Sequence, residues 1–267
     1  MKTLNRYMNG EKICLGCHRG DRKNYPENTM AAFRGAVALG LDAIETDVRM
    51  TADGELVLIH DRDVERTTNG KGFVDEMTLA EIKALDAGFW KGEAFVGERI
   101  PTVEEFLELV AETDIIVNWE LKEYPLEMGD RAYELIDKLV ELIDRYGMAE
   151  RSMMNSFSEK NLEYIYDKWG DKFVTHGYIH YKKPKDFADK PLESFINWAA
   201  MWRKDEEHIA GFSEDYSYAI ERDILCCILV PDEPENYRQA MKMGCRMFTS
   251  DDPTTAVEIL RGLGVRK

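Results

Sequence analysis

Residues able to do chemistry gather near the ends of short apolar runs in the first half of the chain. Glu45 and Asp47 stand two apart within Ala43–Val48. Side chains alternate along a strand, so these carboxylates share one face while Ile44, Thr46 and Val48 share the other. Asn118, Glu120 and Lys122 repeat the pattern further on. Three carboxylates converging from neighbouring strands repel one another. They are stable there when a hard divalent cation or several cationic side chains neutralise them; otherwise they are solvated rim acids. Carboxylate-only ligands favour Mg²⁺, Ca²⁺ or Mn²⁺ over thiol-seeking metals. His18 and Arg19 follow another apolar run. An imidazole can serve as general acid or base near neutrality, and a guanidinium offers a planar fork to a phosphate. His60 closes the run that begins at Glu55.

The elements that must position these residues alternate between strand and helix. Apolar, β-branched runs occur at Ile13–Cys17, Ala43–Val48, Ile115–Leu121, Ser152–Ser156, Phe173–Ile179, His208–Phe212, Leu225–Val230 and Arg246–Thr249. Helical stripes lie between them. Ala132, Leu135, Ile136, Leu139, Val140 and Ile143 recur at i, i+3, i+4 spacing. Val103, Phe106, Leu107 and Val110 do so after Pro101, read as a first-turn residue. Asn28 or Thr29 caps a helix that stops at Gly40, Asp252-Pro253 opens the last helix, and Pro191–Arg203 is read as another. Eight strand–helix alternations predict an α/β fold, a (β/α)8 TIM barrel spanning residues 1–267 as one domain. Active residues of such barrels sit at the C-terminal ends of strands, where the residues above fall.

One segment, about 49–100, breaks the alternation and predicts an insertion of a hairpin plus a short helix near Leu79–Leu85. Asp53-Gly54 between β-rich arms reads as a two-residue turn. That register opposes Val48 to Ile59 and Asp47 to His60, which places His60 on the inward face beside Asp47. Phe73, Phe89, Trp90 and Phe95 are expected to form the small core of this excursion; left exposed, they would be an apolar rim.

Composition narrows the partners. Lys plus Arg number 35 against 51 Asp plus Glu, a net charge of −16, which excludes a basic nucleic-acid footprint and a polybasic membrane patch. No apolar run is long enough to span a bilayer. Residues 1–11 carry charges and no apolar stretch, so no signal peptide is expected. Five cysteines, an odd number amid apolar neighbours, read as buried free thiols in a reducing, cytoplasmic setting. Cys14-Leu-Gly-Cys17-His18 matches a haem-attachment pattern, but attachment needs export, and no haem is expected. His176 and His180 share a strand face by spacing but show no acidic partners, and His208 reads as a surface or packing residue. No P-loop and no G-x-S-x-G elbow occurs.

His18-Arg19-Gly20, Pro26-Glu27-Asn28-Thr29, Ile44-Glu45-Thr46-Asp47-Val48, His60-Asp61 and Arg66-Thr67-Thr68 resemble, in order and spacing, the glycerophosphodiester phosphodiesterase family. Gly97–Thr102, Glu120-Leu121-Lys122, Ser156-Phe157 and Ser250-Asp251-Asp252-Pro253 continue the likeness to the C-terminus. The resemblance implies a barrel with an insertion after its second strand, and His18 and His60 as the two catalytic histidines. It further implies a divalent cation on Glu45, Asp47 and Glu120, with Arg19 and Lys122 facing the phosphate. The implied reaction is hydrolysis of a small glycerophosphodiester to sn-glycerol 3-phosphate and an alcohol. Alternatives are a lysophospholipase-D-like activity on lipid diesters and a non-catalytic ligand-binding barrel. The chain departs from the family where Leu229-Val230-Pro231-Asp232 replaces a usual Trp-Thr-Val-Asn. A missing aromatic wall and an added charge are expected there. Cys17 stands where alanine is common.

Overall fold

A computed structural model describes residue 7 and residues 12–178, 186–200, 217–229 and 232–266. The strands follow in the order β1 (Cys14–His18), β2 (Ala43–Met50), β3 (Leu56–Leu58), β4 (Ile116–Leu121), β5 (Ser152–Asn155), β6 (Val174–Gly177), β7 (Trp198–Ala200), β8 (Leu225–Leu229) and β9 (Met247–Ser250). β1 pairs in parallel with both β2 and β9, so every strand but β3 belongs to one closed parallel barrel of eight. β3 hangs antiparallel on the overshooting end of β2.

Alternation sorts each strand into two faces. Leu15, Cys17, Ile44, Val48, Val117, Trp119, Leu121, Met154 and Phe248 pack outward in the main core. The inward face changes character along the strands. At the N-terminal end Cys14, Ala43, Ile116, Met153, Val174, Trp198 and Met247 form an apolar plug with Tyr7. One or two inward positions further, the same strands present His18, Glu45, Asp47, Asn118, Glu120, Asn155 and His176. An apolar base keeps water out from below, so the polar side chains meet solvent at one end only.

The helices form where patterning requires. α1 (Met30–Ala38) begins at Thr29, whose side chain accepts from the Ala32 N–H, and ends before Gly40 at φ 66°. α2 (Leu79–Ala84) and α3 (Val103–Ala111) start with capping boxes, Thr78 with Glu81 and Thr102 with Glu105. Pro101 therefore lies outside the helix, just before its cap, because Thr102 can accept from the Glu105 N–H and Pro101 cannot. α4 (Arg131–Arg145) buries all six residues of its expected stripe. A single turn, Pro125–Met128, precedes α4, and α5 (Glu159–Trp169), α6 (Pro234–Lys242) and α7 (Pro253–Gly262) follow, with Asp252 capping α7.

Two readings fail. Residues expected as the helix Pro191–Arg203 include a single 3₁₀ turn, Leu192–Ser194, and then strand β7. Trp198 turns into the barrel plug and Ala199 out to the main core; so short an apolar run carries no period that separates strand from helix. The expected strand His208–Phe212 lies outside the described residues.

The hairpin forms with a different register. Val48 faces Leu58, Arg49 faces Val57 and Met50 faces Leu56, which sets Asp47 opposite Ile59 rather than His60. The loop has three residues, Ala52, Asp53 and Gly54, closed by Gly54 N–H to Thr51 O at 3.0 Å and Thr51 N–H to Glu55 O at 2.9 Å. Of these only Gly54 takes a positive φ, 85°, as a three-residue hairpin needs. Asp53 spends its carboxylate on the Thr51 hydroxyl at 2.6 Å and the Leu79 N–H at 2.9 Å, tying the hairpin to α2. Ile59 joins Val57, Val64, Val74, Ile82, Ala87 and Ile100 in the excursion's own core. The aromatic residues assigned to that core are not in it. Phe73, Phe89 and Trp90 are 42%, 46% and 36% exposed, and Phe95 is half-buried against the edge of Tyr25.

Asp42, at the foot of β2, ties both terminal regions to the barrel base. It accepts from Tyr7 Oη at 2.9 Å, Lys12 Nζ at 2.6 Å, Leu15 N–H at 3.1 Å and Arg266 Nη1 at 2.5 Å. Asp42→Ala leaves these donors without their acceptor inside the protein and should cost about 3 kcal/mol in urea unfolding. A loss below about 1 kcal/mol, the scale of an exposed ion pair, would show the staple to be inert.

Candidate active site at the barrel mouth

β1 runs into a tight turn that sets the mouth. Arg19 and Gly20 both take positive φ, 61° and 75°. A Cβ on Gly20 would stand 2.8 Å from Ala32 Cβ and 2.9 Å from its carbonyl carbon, so only glycine lets the loop close on α1. The turn presents the Arg19 N–H to Glu45 Oε2 at 2.9 Å and swings its guanidinium over the barrel.

Glu45, Asp47 and Glu120 converge, with one oxygen from each within 4.8 Å of the others, and all three are buried. Arg19 Nε lies 3.2 Å and Lys122 Nζ 3.1 Å from Asp47, and Lys122 also pairs with Glu120. Asn28 Nδ2 donates to Asp47 Oδ2 at 2.7 Å, while Thr46 Oγ1 holds the other end of that amide at 2.9 Å. Burial alone would raise the Asp47 carboxyl, but Lys122, Arg19 and His60 hold it far below the usual carboxylate range. Glu45 goes the other way: burial, then Asp47 and Glu120, push it well above its ordinary value. Two cations thus face three carboxylates, and Glu45 Oε1 is buried without a hydrogen-bond donor. An all-oxygen cluster with one carboxylate in excess and an unsatisfied oxygen fits a hard divalent cation.

Both histidines reach the same cavity, and each is braced by a carboxylate. His18 Nδ1 lies 2.7 Å from Asp251 Oδ1, and His60 Nδ1 lies 2.6 Å from Asp61 Oδ1. A carboxylate only accepts, so each Nδ1 carries the proton and each Nε2 remains for chemistry. Burial lowers the His18 pKa, with Asp251 opposing part of the effect. His60 arrives by a bend after β3 ends, not by strand pairing. Its carbonyl accepts from Arg49 Nε at 3.0 Å. Asp61 pairs with Arg66, whose Nη1 and Nη2 donate to Glu27 at 3.0 and 2.8 Å. Glu27 also accepts from Arg19 Nη1 at 2.8 Å. One chain of charges therefore joins His60, through Asp61, Arg66 and Glu27, to Arg19.

The cavity, of about 140 Å³, is lined by all of the expected site residues except Asp47, which is fully buried. Sequence reasoning left Asp61, Asp251 and Glu27 without roles. The contact of His18 with Asp251 spans 233 positions, so no local pattern announces it. His176 also lines the cavity, packed on an amide, Asn118, rather than on an acid; His180 and His208 lie outside the described residues. Phe157 and Tyr178 stack at 3.7 Å between centroids and supply an aromatic wall from β5 and β6. Asp232 does not reach into the cavity. It accepts from Tyr237 Oη at 2.6 Å and Ser250 Oγ at 2.9 Å. Cys14 and Cys17 are buried on β1, on opposite faces. No described helix is long and apolar enough to cross a membrane.

Residues 18–202 match the model of the glycerophosphoryl diester phosphodiesterase family. A glycerophosphodiester phosphodiesterase of Caldanaerobacter subterraneus subsp. tengcongensis is 52% identical over 152 residues, which is 57% of this chain and 60% of that protein. A glycerophosphodiester phosphodiesterase of Bacillus altitudinis is 40% identical over 150 residues, 54% of this chain and 58% of that protein. The matched segment thus spans somewhat under two thirds of these relatives. The fold is that of an Oleispira antarctica phosphodiesterase solved with its product sn-glycerol-3-phosphate. That structure has a TM-score of 0.79 and 23% identity, with 95% of this chain and 99% of that one covered.

The Glu27 hub makes stability depend on acid. Burial would raise its pKa, but Arg66 and Arg19 bring it from 4.5 down to about 2. A depressed carboxylate stabilises the fold above its unfolded pKa and loses that contribution as pH falls through its folded value. On the order of 2 kcal/mol should therefore disappear between pH 4.5 and 2, with half-exposed Arg66 partly screened by solvent. Denaturant unfolding of Glu27→Gln should show a lower stability at neutral pH and a flatter acid limb. An acid limb as steep as wild type would exclude the hub.

Proposed function

Because the chain belongs to the glycerophosphoryl diester phosphodiesterase family, we propose that it is a metal-dependent hydrolase. It would cleave glycerophosphodiesters to sn-glycerol 3-phosphate and an alcohol. The observation that carries this reading is the convergence, around one cavity, of two carboxylate-braced histidines, three clustered acids and two cations. The Caldanaerobacter relative's activity, as its name states it, supports the same reaction class. We take residues 1–267 as one barrel with an insertion over about 49–100. Five buried cysteines, none in a disulfide, suit a reducing cytoplasm.

Glu45, Asp47 and Glu120 would hold the divalent cation, as Mg²⁺, Ca²⁺ or Mn²⁺. When bound, it supplies Lewis acidity and offsets the charge of the diester. Arg19 and Lys122, already fixed by Asp47, Glu27 and Glu120, face the charge that builds on the phosphoryl oxygens without reorganising. Of His18 and His60, one takes the proton of the nucleophile and the other delivers a proton to the departing alkoxide, each through its Nε2. Asp251 and Asp61 hold the rings in the tautomer this needs.

One observation favours a second reading, a lysophospholipase-D-like activity on lipid diesters. Phe89, Trp90 and Val96 stand 46%, 36% and 62% exposed on the excursion. Lys91 joins their loop to the mouth by donating to Arg22 O at 2.7 Å, and Arg22 in turn donates to Asp251. Turnover of glycerophosphocholine and of lysophosphatidylcholine separates the two. Preference for the first supports the small-substrate reading, preference for the second the lipid one, and no turnover of either leaves only a ligand-binding barrel.

Activity should be abolished by chelator and restored by a divalent cation; full activity in excess chelator would remove the metal. Asp47→Asn should lower metal affinity and rate together while the barrel still folds. His18→Ala and His60→Ala should each reduce kcat/KM by ~10²–10⁴-fold with little change in melting temperature. The pH profile of kcat/KM should be bell-shaped, because acid and base must hold opposite protonation states. A variant that keeps the wild-type rate eliminates that histidine.

A further inference from the structure

The charged groups of the site belong to the end of β1 and its loop, β2, the bend after β3, the end of β4 and the turn after β9. The cavity continues past them onto β5 and β6, where its wall combines the Phe157–Tyr178 stack with the uncharged polar side chains Asn155 and His176. The inward row is unbroken: Asp47 is the register partner of Glu120, Glu120 of Asn155, and Asn155 of His176. Neighbouring strands lie ~4.8 Å apart, so Asn155 and His176 can both reach one small group.

These two residues carry complementary unspent atoms. Asn118 Nδ2 lies 3.2 Å from His176 Nδ1, closer than Asn118 Oδ1 at 3.4 Å. We assign the nearer atom, Nδ2, as the donor to Nδ1, which leaves the ring proton on Nε2. Burial keeps the ring neutral, with its pKa lowered to about 4. His176 Nε2 is buried without a hydrogen-bond partner, and so is Asn155 Oδ1. Asn155 Nδ2 turns instead toward Tyr178 Oη at 3.5 Å. A buried polar atom left unpaired destabilises the fold, and here one orphan is a donor and its neighbour an acceptor. A hydroxyl group, donor and acceptor in one, satisfies both.

We propose that His176 Nε2 and Asn155 Oδ1 together bind the terminal hydroxyl of the substrate's glycerol, making this pair the determinant of specificity for glycerol over diols that lack that hydroxyl. The inference rests on the glycerophosphodiesterase reading and extends it. A substrate with its phosphate among Arg19, Lys122 and the acids lays its uncharged, hydroxyl-bearing end along the row toward β6. His176 and Asn155 are binding residues and take no proton in the reaction.

The test compares kcat/KM for glycerophosphocholine and for the same diester built on propane-1,2-diol, which keeps the secondary hydroxyl and lacks the terminal one. Wild type should prefer glycerophosphocholine by ~10²-fold or more, because a site built to bind a hydroxyl rejects the analogue without it. His176→Leu and Asn155→Ala should each collapse that ratio toward unity, chiefly by loss on glycerophosphocholine. His176→Gln, whose amide can still donate, should retain part of the preference. If His176→Leu fails to fold, Asn155→Ala carries the same readout. Equal kcat/KM on both diesters in wild type, or variants that lose equally on both, would overturn the pairing and reduce it to packing around an ordered water. Wild type inert on both diesters with metal present would overturn the parent reading itself, an outcome distinct from loss of discrimination alone.

Discussion

Three carboxylates held within 4.8 Å of one another inside a barrel set the constraint around which the mouth is built. Two unit charges at such a distance repel by ~3–4 kcal/mol even at an effective dielectric near 20, and burial adds a desolvation cost. The chain meets this from three directions. Lys122 follows Glu120 at the end of β4 and reaches back to Asp47. Arg19 is thrown over the cluster by the positive-φ turn that Gly20 permits. Asn28, itself at φ 52°, offers an amide to Asp47. Two backbone positions held in the left-handed region by non-glycine residues, Arg19 and Asn28, thus serve one carboxylate. Strain of that kind persists only where surrounding contacts over-determine it. The excess negative charge that remains is what suits the site to a divalent cation.

The same electrostatics attach the excursion to the barrel. Arg66 and Asp61 come from the insertion, while Glu27 and Arg19 come from the loop after β1. Four alternating charges therefore seat the element that carries His60 against the element that carries His18. The hairpin supplies the scaffold, and its own core of Val57, Ile59, Val74, Ile82 and Ile100 makes the insertion a rigid cap rather than a free loop. Its large aromatics face outward instead, placing apolar surface next to a charged mouth.

Much of this was legible in the residues. The period-two alternation of β2 and β4 placed Glu45, Asp47 and Glu120 on one interior face. The stripe of α4 was complete, and the caps at Thr29 and Asp252 were visible. The hairpin was legible as a hairpin but not in register, since Asp-Gly serves a two-residue loop and the tip of a three-residue loop alike. What separated them was the pull of Leu79 N–H and Thr51 Oγ1 on the Asp53 carboxylate, a contact with a helix 26 positions away. The aromatics of the excursion misled because size and hydrophobicity say nothing about which side of a small insertion faces the barrel. β7 was hidden because three residues carry no period.

The sequence by itself determined the alternation of strands and helices at most positions, and the faces of β2 and β4 that carry the acids. These follow from local periodicity and from residue type; β7 and the entry of His60 do not. The tertiary structure decided which groups complete the site. Asp251 braces His18 across 233 positions, Glu27 couples two arginines from different elements, and His60 enters by a bend after its strand has ended. His176 meets Asn118 across the barrel, 58 positions apart, and lines the cavity with its Nε2 buried and without a hydrogen-bond partner. Such pairings depend on how a closed sheet brings distant strand ends to one rim. The pattern of a chain encodes the faces of its strands, but only closure sets which faces meet.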